Sequence, residues 1–264
     1  VLHADKTDVS IKFCAYSALE SFPELKSAAS VLQGIFESAL SVRLAAIRVL
    51  DKNLSDFVFA EIKNKIESGT KKGETLAETI LDAQADHIIE QLMVSDTFSY
   101  MASNYLSRTA PIAVIDTFID ILEKRGLKAT AKKYADIRNE KYSVPRPFFV
   151  VISSCQSVLK TYSKLISICG CDAKTFVQPQ EAFEFLVAEK PAAVVCDLFL
   201  DEMTGFEIAA EVRELYGQEQ VPMILSTSQK DLDSSILDQQ MVRFGVASLT
   251  EFPAKTSQIK SWLK

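Results

Sequence analysis

Three side chains in the second half of the chain close apolar runs: Ser153 after "FFVVI", Asp197 after "AAVVC" and Thr227 after "PMILS". Apolar runs of this length alternating with helical segments read as parallel strands covered on both faces. In such sheets the strand C-termini form the ligand crevice. Asp197 is therefore a carboxylate at a strand tip, a place suited to nucleophilic or acid–base work. The plainer reading is a strand-end cap. The residues that follow, "LFLDEMTGFE", form a short loop and the start of an amphipathic helix at Gly205.

Five strand–helix units position these residues. The strands are "FFVVIS", "AKTFV", "AAVVCDL", "PMILST" and "ASLTEF". The helices are "QSVLKTYSKLISICG", closed by Gly170, then "PQEAFEFLVAEK", "GFEIAAEVRELYG", "DSSILDQQMVRFG" and "KTSQIKSWLK". The expected architecture is a doubly wound α/β fold, flavodoxin-like, with a five-stranded parallel sheet over 147–264. A mostly α-helical domain precedes it over 1–146, with the boundary at "KYSVPRPFF", where two prolines break the helix. In that half "APIAVIDTFIDILEKRG" is the clearest helix. Thr109 is the expected N-cap, Pro111 sits in the first turn, and Gly126 supplies the stop. Ile112, Ile115, Phe118, Ile119 and Leu122 share its apolar face. "SGTKKGE" reads as a turn, "LKATAKKYADIRNEKY" as a last polar helix, and "VSIKFCAYS" as a strand or an entry segment.

The C-terminal half resembles the receiver domain of two-component response regulators, on the strength of "DLFLDEMTGFE" after an apolar strand, "VPMILST", and the order of the five units. The resemblance implies that Asp197 is the phosphoacceptor. Thr227, or its neighbour Ser226, would bind phosphoryl oxygens. It also implies an acidic pair after the first strand for Mg²⁺ and a lysine before the proline that follows the fifth. Here the sequence departs from the family. Ile152 and Ser153 stand at the acidic positions, with Ser154 next. Phe252 stands before Pro253, and Leu249 at the aromatic switch position. Bringing a phosphoryl group to a carboxylate sets anion against anion, and a metal and a cation offset that repulsion. Asp201, Glu202 and Lys255 are the nearest residues able to compensate. The expectation is a pseudo-receiver that acts by protein–protein interaction and binds no metal or other cofactor. The alternative is a phosphorylatable response regulator, for which Mg²⁺ would be needed, with the helical half as output or sensor domain. The resemblance further implies a partner face on the fourth helix, fifth strand and fifth helix. Phe244, Leu249, Phe252 and Trp262 suit that face, or the core.

The helical half matches no family pattern. His87 in "ADHIIEQL" reads as a surface or structural histidine, with phosphotransfer the sharper alternative; His3 carries no signal. Lys124, Arg125, Lys128, Lys132 and Lys133 read as a solvated basic face, or as a contact for phosphate or an acidic partner. No nucleophile motif, Gly-rich phosphate loop or metal-ligand cluster appears, so an enzyme is not expected. A polar pocket in this half would favour an enzyme or a small-ligand sensor instead. The net charge of −6 argues against general nucleic-acid binding. The five cysteines, Cys14, Cys155, Cys169, Cys171 and Cys196, have neither disulfide nor zinc spacing, which suggests buried free thiols and the cytoplasm. No apolar run reaches the roughly 18 residues of a membrane span. The expected partner is a protein, a signalling kinase or an output protein, with a homodimer left open. The chain begins at Val1, not Met, so an upstream segment is left open too.

Overall fold

The computed structural model describes residues 8–22, 28–201, 203–217, 220–228 and 234–263. The chain divides into two compact units, Val1–Pro145 and Arg146–Lys264.

The first unit is helical. It comprises α1 (Val9–Glu20), a 3-10 helix (Ala28–Phe36), α2 (Leu40–Lys52), α3 (Asp56–Glu67), α4 (Lys71–Ala83), α5 (Asp86–Leu92), α6 (Asp96–Arg108), α7 (Ile112–Lys124) and α8 (Lys128–Lys141). α2 is its centre: Val42, Leu44, Ala45, Ala46, Ile47, Val49 and Leu50 are all fully buried. A helix apolar on nearly every side must be packed on nearly every side, and α1, the 3-10 helix, α4 and α5 supply that cover. Gly34 allows the 3-10 helix to approach α1. A Cβ there would come within 2.6 Å of the Tyr16 ring. Ser55, Thr70 and Ser95 cap α3, α4 and α6, each accepting a backbone N–H from the first turn.

Three expectations for this unit need correction: the turn read at "SGTKKGE" is confined to 68–70, Lys71–Glu74 being the first turn of α4. "VSIKFCAYS" is neither strand nor entry segment but most of α1. Asp8 caps it, and it buries Phe13 and Tyr16 three residues apart, a helical spacing. Thr109 does not cap α7; it is the C-cap of α6, and Pro111 occupies the N-cap position of α7. Gly126 ends α7 with φ +75°, as expected. The buried face of α7 is Val114, Ile115, Phe118, Ile121 and Leu122, while Ile112 and Ile119 are half-buried at its margins. Phe118 meets Tyr134 of α8 edge to face, with ring centroids 5.1 Å apart.

The second unit alternates strand and helix: β1 (Phe148–Ile152), α9 (Gln156–Ile168), β2 (Asp172–Phe176), α10 (Pro179–Ala188), β3 (Ala193–Asp197), α11 (Gly205–Leu215), β4 (Met223–Thr227), α12 (Ser234–Arg243), β5 (Ser248–Glu251) and α13 (Thr256–Ser261). The strands are all parallel, in the order β2-β1-β3-β4-β5. This is the flavodoxin-like winding, which the receiver fold shares. Side chains alternate between faces along each strand. Val150, Ile152, Val194, Cys196, Met223 and Leu225 pack with α10 and α11 on one face. α9 and α13, which touch each other, cover the opposite face.

The cysteines are free, but fewer are buried than expected. Cys171 and Cys196 are buried, Cys155 and Cys169 half-buried, and Cys14 exposed. Among the described residues no helix is long and apolar enough to cross a membrane.

Candidate functional site

Strand register assembles a row of polar side chains at the C-terminal edge of the sheet. Asp197 pairs laterally with Ser226, and Ser226 with Thr250. Ser153, the residue after β1, hydrogen-bonds Asp197 directly. Laterally paired residues of parallel strands project to the same face, here the face covered by α9 and α13. Ser153, Ser226 and Thr250 are buried, and Asp197 is half-buried.

Each of these groups is satisfied from within the fold, as buried polar atoms generally are. The Ser153 hydroxyl donates to the Asp197 carboxylate, and its oxygen accepts from the Cys155 N–H at 3.1 Å, fixing the entry to α9. The hydroxyls of Tyr162, on α9, and Ser226 are 2.7 Å apart. Gln258, on α13, donates to Thr250 Oγ1 at 3.1 Å and accepts from the Lys255 N–H at 2.9 Å. Beside this row the Tyr162 ring packs on that of Phe252, centroids 5.6 Å apart. Phe252 is only 5% exposed.

The loop after β3 is tied down as well. The Gly205 N–H donates to Leu198 O at 2.8 Å, and Leu200 N–H to Met203 O at 3.1 Å. Thr204 and Glu207 form a capping box at the start of α11. Gly205 is required for space. A Cβ would come within 2.6 Å of both the Asp197 carbonyl oxygen and Leu225 Cδ2.

The electrostatics follow from this packing. Burial pushes the Asp197 carboxyl up from 3.8 to about 7, and the Ser153 hydrogen bond opposes that rise only in part. Burial also raises the Tyr162 phenol far above its ordinary range, and the Asp197 charge adds to the effect. Among the described residues no lysine or arginine forms an ion pair with Asp197.

The residues singled out in the sequence are thus only partly brought together. Asp197 and Ser153 touch. Ser226, rather than Thr227, lies opposite Asp197; Thr227 pairs with Glu251 at the end of β4. Ile152 turns to the other face and joins the core with Cys196 and Leu198. Phe252 and Trp262 are buried, while Phe244 and Leu249 are half-buried against that core. Asp201 is exposed in the loop, Lys255 is exposed at the start of α13, and Glu202 lies outside the described residues. Tyr162 and Gln258 were not anticipated. The signal for Tyr162 was its place four residues from both Val158 and Ile166, on a core-facing stripe where a phenol needs a partner.

These side chains do not suit Mg²⁺. A hard divalent ion needs carboxylate oxygens. Ile152 offers none, and the Ser153 hydroxyl is committed to Asp197. Among the described residues no group of three or more His, Cys, Asp or Glu could hold a metal.

In the helical unit His87 is exposed. Its Nδ1 lies 3.1 Å from Asp51 Oδ2, and the other Asp51 oxygen accepts the Ile88 N–H at 2.9 Å. The hydrogen bond to Asp51, and then its charge, raise the His87 pKa. Lys124, Arg125, Lys128, Lys132 and Lys133 are all exposed. A polar cavity of about 290 Å³ lies between α4 and α6.

The second unit is thus a doubly wound, flavodoxin-like α/β domain with one half-buried carboxylate at the edge where such folds keep their sites. Its chain trace is similar to that of several receiver domains. One is the chemotaxis protein CheY4 of Vibrio cholerae, at 18% identity over 45% of this chain and 96% of that one, TM-score 0.40. Another is a two-component response regulator from Clostridium difficile, at 15% over 45% and 96%, TM-score 0.39. A third is a CheY-like receiver domain from Methylobacillus flagellatus, at 17% over 45% and 96%, TM-score 0.38. No protein-family model matches the chain, and no curated protein does.

Proposed function

We propose that this chain is a regulatory protein of two-component signalling whose receiver-type unit works by binding another protein, without Mg²⁺-dependent phosphorylation of Asp197 and without catalysis. One observation carries the reading: each member of the polar row Ser153, Asp197, Ser226 and Thr250 has a hydrogen-bond partner inside the fold, with Tyr162 bonded to Ser226 and Phe252 packed on Tyr162. A phosphoryl group on Asp197 would place a dianion beside Ser153 and near Tyr162, neither of which carries positive charge. The cost of an uncompensated buried charge is several kcal/mol, of the order of a whole domain's stability. The partner is a signalling kinase or an output protein, met in the cytoplasm. α12 supports protein contact, since Ile236 and Val242 are 58% and 83% exposed on it.

Incubation of the full chain with acetyl phosphate and Mg²⁺, followed by intact-mass measurement, is the direct test. The unmodified mass is expected throughout, together with no heat on titration of beryllofluoride in Mg²⁺. An added phosphoryl that disappears in Asp197→Asn would instead establish a phosphorylatable response regulator.

A further inference from the structure

The cavity between α4 and α6 has walls of opposite sign. From α4, Lys71, Glu74 and Glu78 follow one another at helical spacing along one face. From α6, Tyr100, Asn104 and Arg108 do the same. Tyr105 lines the cavity and is only 3% exposed. Its hydroxyl donates to the buried Asp82 carboxylate. Arg43 lies behind. Burial lowers the pKa of its guanidinium, and the charges of Asp82 and Glu78 oppose that. The back of the cavity is thus a buried tyrosine hydrogen-bonded to a buried carboxylate.

Within it the charges are unevenly used. Lys71 is paired with Glu74 at 3.0 Å. Arg108 makes no hydrogen bond or ion pair with any described residue, and Glu78 makes none either, its charge acting only at longer range, as on Lys71 and Arg43. One carboxylate on α4 and one guanidinium on α6 thus stand across a space too large for an ion and too small for a folded partner. A ligand of single charge would satisfy one of them and crowd the other. A compact molecule carrying both an ammonium and a carboxylate satisfies both, with Asn104 able to donate and accept beside them. We propose that this cavity is a binding site for a small zwitterion of the free α-amino acid class, its ammonium toward Glu78 and its carboxylate toward Arg108. The helical unit is then a ligand-sensing domain, independently of how Asp197 behaves.

Isothermal titration of the full chain with the set of free α-amino acids tests this. For the tightest binder, two analogues follow: its carboxamide, which keeps the ammonium alone, and its N-acetyl derivative, which keeps the carboxylate alone. Saturable binding of at least one amino acid is expected at about millimolar affinity or better. Each analogue should bind at least about tenfold more weakly, as should Glu78→Gln and Arg108→Gln, since each removes a charge-assisted hydrogen bond. Glu61→Gln, exposed on α3 and outside the cavity lining, should bind as the wild type does. Glu78 is half-buried and Arg108 exposed, so both variants are expected to fold, which far-UV circular dichroism verifies. Absence of binding up to about 10 mM by every amino acid overturns the proposal. So does an N-acetyl derivative that binds as well as its parent, which marks an anion site, or a carboxamide that does so, which marks a cation site. Undiminished affinity in both variants likewise places the ligand elsewhere.

Discussion

Replacing Asp197 by asparagine should stabilise the second unit at neutral pH, do so less at pH 5, and do almost nothing below about pH 4. The carboxyl titrates at 3.8 in the ordinary case and at about 7 in the fold, because burial penalises its ionised form. Between those two values the folded state holds a proton that the unfolded state has lost. Stability therefore falls as pH rises, by about 1.4 kcal/mol for each pH unit. The fall begins near pH 4 and is complete just above pH 7, where it amounts to about 4 kcal/mol. Asparagine keeps the shape and an oxygen that can accept from Ser153, and it carries no charge to desolvate. Trp262 is the chain's single tryptophan, is 9% exposed, and lies in the second unit, so its fluorescence reports the unfolding of that unit in the full chain. Urea unfolding followed at this tryptophan, at intervals from pH 5 to pH 8, should show the wild type losing about 3 kcal/mol relative to Asp197→Asn. Addition of Mg²⁺ should not restore it. A wild-type–variant difference that stays constant across this range, or a variant less stable at pH 8, would refute the electrostatic account of the site.

Further outcomes follow from other contacts. Gly205→Ala should cost about 1–3 kcal/mol in the same fluorescence assay, because the new methyl meets the Asp197 carbonyl and Leu225. Phe252→Ala should cost about 3–5 kcal/mol by stripping the cover from Tyr162. Tyr105→Phe should weaken the helical unit by about 1–3 kcal/mol, read by hydrogen exchange of α4 and α6, since buried Asp82 loses a donor. Asp51→Asn should lower the His87 pKa in an NMR titration, the hydrogen bond and charge of Asp51 being what raise it. The stability carried by that pair is present while His87 is protonated and is lost as pH rises through its folded pKa.

The alternating architecture of the second unit was legible because apolar runs of strand length are hard to place anywhere but inside a covered parallel sheet. The departure at Ile152 and Phe252 was legible too, since charge is a property of residue type. What the sequence concealed was geometry across the sheet. The pairing of Ser226 with Asp197 depends on a register between strands far apart in the chain. The reach of Tyr162 and Gln258 onto that row depends on helix placement above it. At the other end of the chain, α1 was misread because its helical moment is weak and its burial rests mainly on Phe13 and Tyr16. Thr109 was misassigned because a hydroxyl residue between two helices suits the end of one as well as the start of the next.

The hydroxyl pair of Tyr162 and Ser226 has a consequence for how this domain can diverge. Losing the Tyr162 oxygen strands both the Ser226 hydroxyl and the Ala254 N–H that also bonds the phenol, whereas losing the Ser226 oxygen leaves the phenol its bond from Ala254. Tyr162→Phe and Ser226→Ala should each be deleterious and, combined, cost less than the sum of the two, the remaining cost being the Ala254 N–H left without its acceptor. Relatives of this chain that lack the phenol would then lack the serine hydroxyl too, so that two positions distant in the sequence do not change independently.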